Sequence, residues 1–210
     1  MAQPHRERRA LGACVLGLTA LALAAATATT PAGAAQSRIT DAKDGFSLIL
    51  PKGWNQVSLR KSNIGTLDKS AADYAALKPL LTQQAASAAA KGLKFFAVAP
   101  GQANGQFVPN INVGLFKSNG TLRALQSDVN SIWTKAGAAG LKTKQVRLTF
   151  GKAVEGTYEL VSKTSAPSIW ETQVYAPHKG HVYIATFSAT TQPAVELTAA
   201  VVMATWKFTH

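Results

Sequence analysis

Cysteine is almost absent from this sequence, since Cys14 is the single cysteine among 210 residues. One cysteine cannot form a disulfide within the chain, so covalent cross-linking is excluded as a source of stability. A zinc site built from several thiolates is excluded for the same reason. The fold must therefore be held by a hydrophobic core, and a chain of this length is long enough to bury one.

Acidic residues are also scarce. The chain has 10 Asp and Glu residues against 22 Lys and Arg residues, which gives a formal net charge of +12. Such a balance favours anionic partners, namely envelope polymers, anionic lipid head groups or acidic proteins. The densest basic groups are Arg60-Lys61 and Lys142, Lys144 and Arg147.

These basic groups lack the long runs and the interleaved aromatic residues that are typical of nucleic-acid binding. We therefore expect a basic surface for an anionic envelope component or a protein partner, and no nucleic acid. The alternative is a solvated basic surface that only keeps the protein soluble.

Motifs of enzymes and cofactor sites are missing as well. There is no Gly-x-Ser-x-Gly turn for a nucleophile and no glycine fingerprint for a phosphate or a dinucleotide. His178 and His181 flank a predicted hairpin turn, His210 is the last residue, and no nearby carboxylate completes a metal site. We expect no metal, no cofactor and no enzymatic activity.

Paired carboxylates are the remaining catalytic candidates. Glu155 and Glu159 lie on the same face of one predicted strand, but four residues of strand span about 13 Å. Glycosidase carboxyl pairs are about 5–9.5 Å apart. Glu171, on the next predicted strand, is placed to approach one of them, although pairing with nearby basic residues is favoured over catalysis.

The first 35 residues have the order of a secretory signal peptide. A basic segment (residues 6–9) precedes an apolar run rich in Ala and Leu (residues 11–28), and small residues follow at the cleavage positions (Ala32–Ala35). Cleavage after Ala34 or Ala35 would remove Cys14 and leave one domain, residues 36–210. We expect this domain to be secreted as a monomer.

Three other interpretations of the leader are weaker. An uncleaved anchor needs about 20 strongly apolar residues, whereas this run has about 18 and is diluted by Gly, Ala and Thr. A twin-arginine leader is suggested by Arg8-Arg9, but the flanking residues do not fit. Lipidation of Cys14 would require the apolar run to precede the cysteine, and here it follows.

Hydrophobic periodicity predicts the elements of the mature domain. Residues 36–45 are expected to be a polar lead-in, and a helix over residues 68–91 is kinked or divided at Pro79. Pro51-Lys52-Gly53 and Pro177–Gly180 predict turns, and Thr191 is predicted to cap the last helix. The predicted strands are 46–50, 57–59, 95–99, 111–116, 145–150, 154–161, 169–176 and 181–189, and the other predicted helices are 121–136 and 193–206. Strands that are grouped rather than alternating with helices indicate an α+β fold, a mainly antiparallel sheet flanked by helices.

The segment DGFSLILPKGW (Asp44–Trp54) resembles the opening strand of PsbP-like domains, a family that includes the secreted LpqN-type proteins of actinobacteria. The predicted hairpin strand containing Val182–Phe187, followed by a terminal helix ending at Trp206, is similar too. The resemblance covers roughly residues 40–208. It implies an α/β/α sandwich and a non-enzymatic accessory or partner-binding role, and it transfers no functional residue.

The candidate binding surface combines the densest basic groups with two tryptophans, because tryptophan is enriched at binding hot spots. For both tryptophans, packing in the core is the alternative. The candidate residues are Trp54, Arg60, Lys61, Lys142, Lys144 and Trp170. The leading hypothesis is a secreted, non-catalytic binding protein. The second is a carrier of a small or lipidic ligand held between sheet and helices, and a hydrolase is the third.

Overall fold

The computed structural model describes residues 37–57, 59, 93–99, 107–163 and 167–209. The strands in this part of the chain are β1 (Ser37–Asp41), β2 (Phe46–Leu50), β3 (Asn55–Gln56), β4 (Leu93–Val98), β5 (Asn110–Lys117), β6 (Ala139–Leu148), β7 (Gly151–Leu160), β8 (Ile169–His178), β9 (His181–Ala189) and β10 (Lys207–Phe208). The helices are α1 (Leu122–Lys135) and α2 (Gln192–Thr205).

The strands form two antiparallel sheets. Seven strands lie in the order β3-β4-β5-β9-β8-β7-β6, and a smaller sheet has the order β1-β2-β10. Helix α1 contacts β6 and β7, whereas α2 contacts β8, β9 and β2 of the small sheet. The predicted α+β architecture is confirmed.

The two helices cover opposite faces of the large sheet. Val154 and Tyr175, which pair across β7 and β8, belong to the apolar cluster under α1. Their neighbours Ala153 and Val174 belong to the cluster under α2. Since successive side chains of a strand point to opposite faces, β7 and β8 are buried on both sides.

Both described helices begin where the sequence predicts. The Thr121 hydroxyl accepts a hydrogen bond from the Ala124 amide at 3.2 Å, and one face of α1 buries Leu125, Val129 and Trp133. Thr191 occupies the position before α2 but makes no side-chain capping bond there. Thr191 is therefore at the predicted position before the helix, but its side chain does not form the predicted capping hydrogen bond.

The two predicted turns are present. Gly53 has φ of +83°, and the Trp54 amide donates to the Pro51 carbonyl at 3.2 Å. At the other turn, Lys179 and Gly180 both have positive φ, 46° and 75°, between the paired residues His178 and His181. Two positive φ values are the geometry of the tight turn that joins antiparallel strands.

Several predicted strand boundaries are wrong, because these strand segments are defined by main-chain hydrogen bonds to a neighbouring strand rather than by a pattern of side chains. The predicted polar lead-in contains β1, which pairs with β2. The strand predicted at 57–59 is instead Asn55–Gln56, and β6 begins at Ala139 rather than Gln145. β10 was not predicted at all, since two residues carry no periodicity.

Other predictions lie outside the described residues. These are the signal peptide, the helix over 68–91, and the candidate residues Arg60 and Lys61. Among the described residues, no helix has the length and apolar character needed to cross a membrane.

An aromatic cluster joins α2 to the small sheet. Trp206, directly after α2, is 1% exposed and stacks on Phe46 of β2, with ring centroids 4.9 Å apart. Phe150, Tyr183 and Phe208 surround this pair at 6.2–6.3 Å from the Trp206 ring. Trp206 and Phe46, the phenylalanine of the DGFSLILPKGW segment, therefore belong to one continuous core.

Candidate functional site

The hairpin formed by β6 and β7 closes one side of the large sheet. β6 is the outermost strand, and it pairs with β7 without interruption from Lys142–Thr157 to Leu148–Gly151. Nearer its start, the register shifts between Ala139 and Lys142. The regular part of β6 therefore has one edge bonded to β7, and among the described residues nothing pairs with its other edge.

Four cationic side chains are exposed on this hairpin: Lys142, Lys144 and Arg147 on β6, and Lys152 on β7. Arg147 lies directly opposite Lys152 in the register. Lys142 and Lys144 are on the α2 face of the hairpin, and Arg147 and Lys152 are on the α1 face. We call these four residues, which lie on both faces of the hairpin, the basic hairpin surface. Adjacent like charges repel each other, so an anion bound beside them would reduce this repulsion.

Only one of the four has an ion-pair partner in the described part of the chain. The Lys144 Nζ lies 2.8 Å from a carboxylate oxygen of Glu155, which is opposite it in the ladder. This hydrogen bond and the attraction to Glu155 raise the pKa of Lys144. The charge pairing predicted for Glu155 is confirmed, while Lys142, Arg147 and Lys152 are left unbalanced.

A groove of about 590 Å³ adjoins this surface, between α2 and strands β6–β8. Its apolar lining includes Val146, Leu148, Ala199 and Met203, and the Lys144–Glu155 ion pair lies in its wall. The volume is within the range of small-molecule pockets, about 300–1,000 Å³. An apolar floor with a charged wall suits a molecule that has both an apolar and a polar part.

Glu171 has a different place from the one expected. Because it pairs with Tyr158, it lies on the face opposite to Glu155 and Glu159, and its predicted approach to either of them is wrong. Glu171 is 5% exposed and accepts hydrogen bonds from the Tyr158 hydroxyl at 2.5 Å and from the Ser188 hydroxyl at 3.1 Å. The residue belongs to the interior of the sheet.

Burial raises the pKa of Glu171, although the two hydrogen bonds partly oppose that rise. Burial, followed by the nearby carboxylate, also raises the pKa of Tyr158. No cation pairs with Glu171 among the described residues. The sequence indicates this burial, because Glu171 is two residues from Ile169 and four from Tyr175 and therefore lies on the same face of β8 as these two buried residues.

A second buried polar group lies beside Glu171. The Trp133 indole N–H of α1 donates to Gln173 and to the Tyr175 hydroxyl, both at 3.2 Å, and Tyr175 also donates to Gln173. The Gln173 amide donates to Thr186 at 3.2 Å. These bonds satisfy polar groups in the core, so they explain how α1 is fixed to the sheet rather than indicating a reaction.

The two candidate tryptophans have separate positions. Trp54 is 6% exposed and packs in the main core, so its ring is not available to a partner and its place in the candidate surface is corrected. Trp170 is half-buried on the α2 side of β8, opposite Glu159 and Ala189. The structure therefore keeps Lys142 and Lys144 together and leaves Trp54 in the framework.

The turn histidines are held by local contacts. The His178 ring stacks on Phe208 with centroids 4.0 Å apart, and His181 Nδ1 lies 3.1 Å from the Lys179 carbonyl oxygen. In the described part of the chain, no group of three or more His, Cys, Asp or Glu residues is arranged to hold a metal ion.

No family model matches the chain, and no curated protein matches it. Among solved structures, it is similar to LpqN, which is involved in cell envelope biogenesis of Mycobacterium tuberculosis, with 10% identity over 84% of this chain and 91% of LpqN and a TM-score of 0.48. It is also similar to the PsbP protein CyanoP from Synechocystis, with 14% identity over 86% of this chain and 97% of CyanoP and a TM-score of 0.44.

A protein from Bacteroides thetaiotaomicron is similar with 13% identity over 78% of this chain and 45% of that protein, and a TM-score of 0.44. At these identities the likeness concerns the fold alone.

Proposed function

We propose that the chain is an exported, non-catalytic binding protein that takes an anionic partner, an envelope component or an acidic protein, on the basic hairpin surface. The observation that carries the proposal is that Lys142, Arg147 and Lys152 are exposed on one hairpin without an ion-pair partner among the described residues. Clustered unpaired charge of one sign attracts and orients oppositely charged partners.

We propose that the protein is not catalytic because the two central carboxylates are engaged in contacts within the protein. Glu155 is held by Lys144, and Glu171 is buried and held by Tyr158 and Ser188. A general acid or base must reach a substrate atom, and Glu171, at 5% exposure, does not face solvent. Both side chains are used to stabilise the sheet in this account.

Neutralising the unbalanced hairpin charges is expected to weaken binding to anionic vesicles strongly. A basic residue near an anionic membrane surface contributes about 1 kcal/mol. The triple variant Lys142→Gln, Arg147→Gln, Lys152→Gln should therefore lose on the order of 100-fold in affinity for vesicles that contain phosphatidylglycerol. Co-sedimentation at low ionic strength measures this, and added salt should weaken the wild-type protein in the same direction.

The control carries the same change of charge elsewhere on the described surface, with Lys43→Gln, Lys117→Gln and Lys207→Gln. It should lose much less affinity. Equal losses in the two triple variants would show that net charge matters and the hairpin does not. An affinity for anionic vesicles that changes neither with added salt nor in the hairpin variant would contradict the proposal.

A second candidate function is favoured by the groove between α2 and the sheet. A space of about 590 Å³ with an apolar floor can hold a small or lipidic ligand, as a carrier requires. This candidate predicts that a molecule remains bound non-covalently when the protein is purified from its own source.

Filling the groove is expected to remove such a ligand. Ala200 lines the groove and is exposed on α2, so Ala200→Phe occupies the space without entering the core. Ala194 is exposed on the same helix and does not line the groove, so Ala194→Phe is a matched control. Native mass spectrometry should detect the bound molecule in the wild type and in Ala194→Phe but not in Ala200→Phe. A wild type without any adduct, or an adduct unchanged by Ala200→Phe, would exclude the carrier function.

A further inference from the structure

The outer edge of β6 differs from the other sheet edges in the described residues. β6 has ten residues, whereas β3 at the opposite edge of the large sheet has two. In the small sheet, the edge strands β1 and β10 have five and two residues. In an antiparallel ladder, every second residue of an edge strand directs its N–H and C=O away from its neighbour. In the described residues no strand pairs with these main-chain groups of β6, although the Thr143 carbonyl accepts a hydrogen bond from the Gln126 side chain of α1.

The charges beside this edge lie on both faces of the sheet. Lys142 and Lys144 are on the α2 face together with Glu155. Thr143 is on the α1 face, where Gln126 of α1 donates to its carbonyl at 3.3 Å, and Arg147 follows on the same face by alternation. A strand added next to β6 would therefore have basic side chains beside it above and below the sheet.

These charges restrict what can pair with β6. Two copies of this chain that met edge to edge would bring Lys and Arg side chains together, and like charges opposite each other destabilise a strand pair. Basic residues on an edge are also a common protection against unspecific sheet extension. The same charges favour an extended segment that carries carboxylates, so the edge discriminates between partners by the sign of their charge.

We propose that the β6 edge binds an extended acidic segment of a partner protein by strand addition. This proposal rests on the proposed function, because it names the partner of the same basic hairpin surface. Main-chain hydrogen bonds to residues 142–148 would supply affinity, and carboxylates placed next to Lys142 and Arg147 would supply specificity.

The test uses synthetic peptides of about seven consecutive Glu residues, which match residues 142–148 of β6 in length and carry carboxylates on both faces of an added strand. Two further peptides carry N-methyl groups on either the odd or the even residues, so that the charge is kept and alternate main-chain donors are removed. Only one alternate set of donors faces β6 in an added strand. Fluorescence anisotropy should show about tenfold or greater loss of affinity for one methylated peptide and near-normal affinity for the other.

Hydrogen exchange of the complex provides an independent readout. The acidic peptide should slow exchange at alternate amides between residues 142 and 148, and it should leave the β1 edge unchanged. The double variant Lys142→Gln, Arg147→Gln should bind the peptide more weakly while keeping the wild-type exchange pattern in its free form.

The outcomes separate the two proposals. If both methylated peptides bind as well as the unmodified one, binding depends on charge alone, strand addition is refuted, and the proposed function stands. If no acidic peptide and no anionic vesicle binds, the proposed function fails as well. Self-association of the free protein through β6, detected by sedimentation and removed by the acidic peptide, would identify a second copy as the occupant and overturn the inference.

Discussion

Replacing Trp206 with alanine is expected to lower the free energy of unfolding by about 3–5 kcal/mol, the usual cost of removing a buried tryptophan. Trp206 is 1% exposed, stacks on Phe46, and meets the edge of Tyr183. Its removal would leave a cavity where α2, the small sheet and the large sheet meet. Urea unfolding at one pH measures the change.

Two further variants make this prediction specific. The Trp206 Nε1 atom is buried without a hydrogen-bond partner among the described residues, so Trp206→Phe removes a costly donor together with part of the packing and should cost clearly less. Trp170→Ala, at a half-buried position, should also cost less. Equal losses for Trp206→Ala and Trp170→Ala would contradict the central position given to Trp206.

The buried carboxyl of Glu171 is expected to make stability fall as the pH rises. Because its pKa is raised in the folded protein, the folded state keeps the proton at pH values where the unfolded chain has lost it. The contribution is therefore most favourable below the ordinary carboxyl pKa and is lost as the pH rises through the raised value. Glu171→Gln should remove this dependence, which has a maximum slope of about 1.4 kcal/mol per pH unit.

The Tyr158 hydroxyl supplies the second half of this test. It donates to Glu171 at 2.5 Å, so Tyr158→Phe should cost about 1.5–3 kcal/mol at pH values above the raised pKa of Glu171, where the carboxyl is ionised. In the Glu171→Gln background the same change should cost only about 0.5–1.5 kcal/mol, as for a neutral hydrogen bond. Urea unfolding of the four proteins across pH gives the coupling. A wild type and a Glu171→Gln variant with parallel pH profiles would contradict the account.

The fold was predictable where side-chain periodicity carries the structure. The α1 helix and the β8–β9 hairpin were found because Leu125, Val129 and Trp133 repeat at helical spacing and because Lys179-Gly180 allows positive φ. β3 was misplaced and β10 was missed, since their pairing partners β4 and β2 are distant in sequence and main-chain hydrogen bonds leave no pattern in the side chains. β1 pairs with the neighbouring β2, and it was missed because its residues are mostly polar and exposed. The start of β6 was missed because an exposed edge strand, with Lys142 and Lys144 alternating outward, resembles a polar loop.

The candidate site was predictable only in part. Lys142, Lys144 and Arg147 were identified as a dense basic group, but their place on an unpaired edge depends on strand order, which the sequence does not reveal. Lys152 was missed because its position opposite Arg147 follows from the hairpin register. The groove forms between α2 and three strands, so no local segment of the sequence contains its pattern.

The central claim is that an anionic partner binds at the basic hairpin surface. The most direct measurement is a residue-resolved NMR titration of the protein with polyglutamate, because it reports the location of binding as well as its occurrence. The account predicts amide shift changes concentrated in residues 139–160, reversed by salt and absent in the Lys142→Gln, Arg147→Gln, Lys152→Gln variant. Shift changes centred elsewhere, or no changes at any salt concentration, would contradict it.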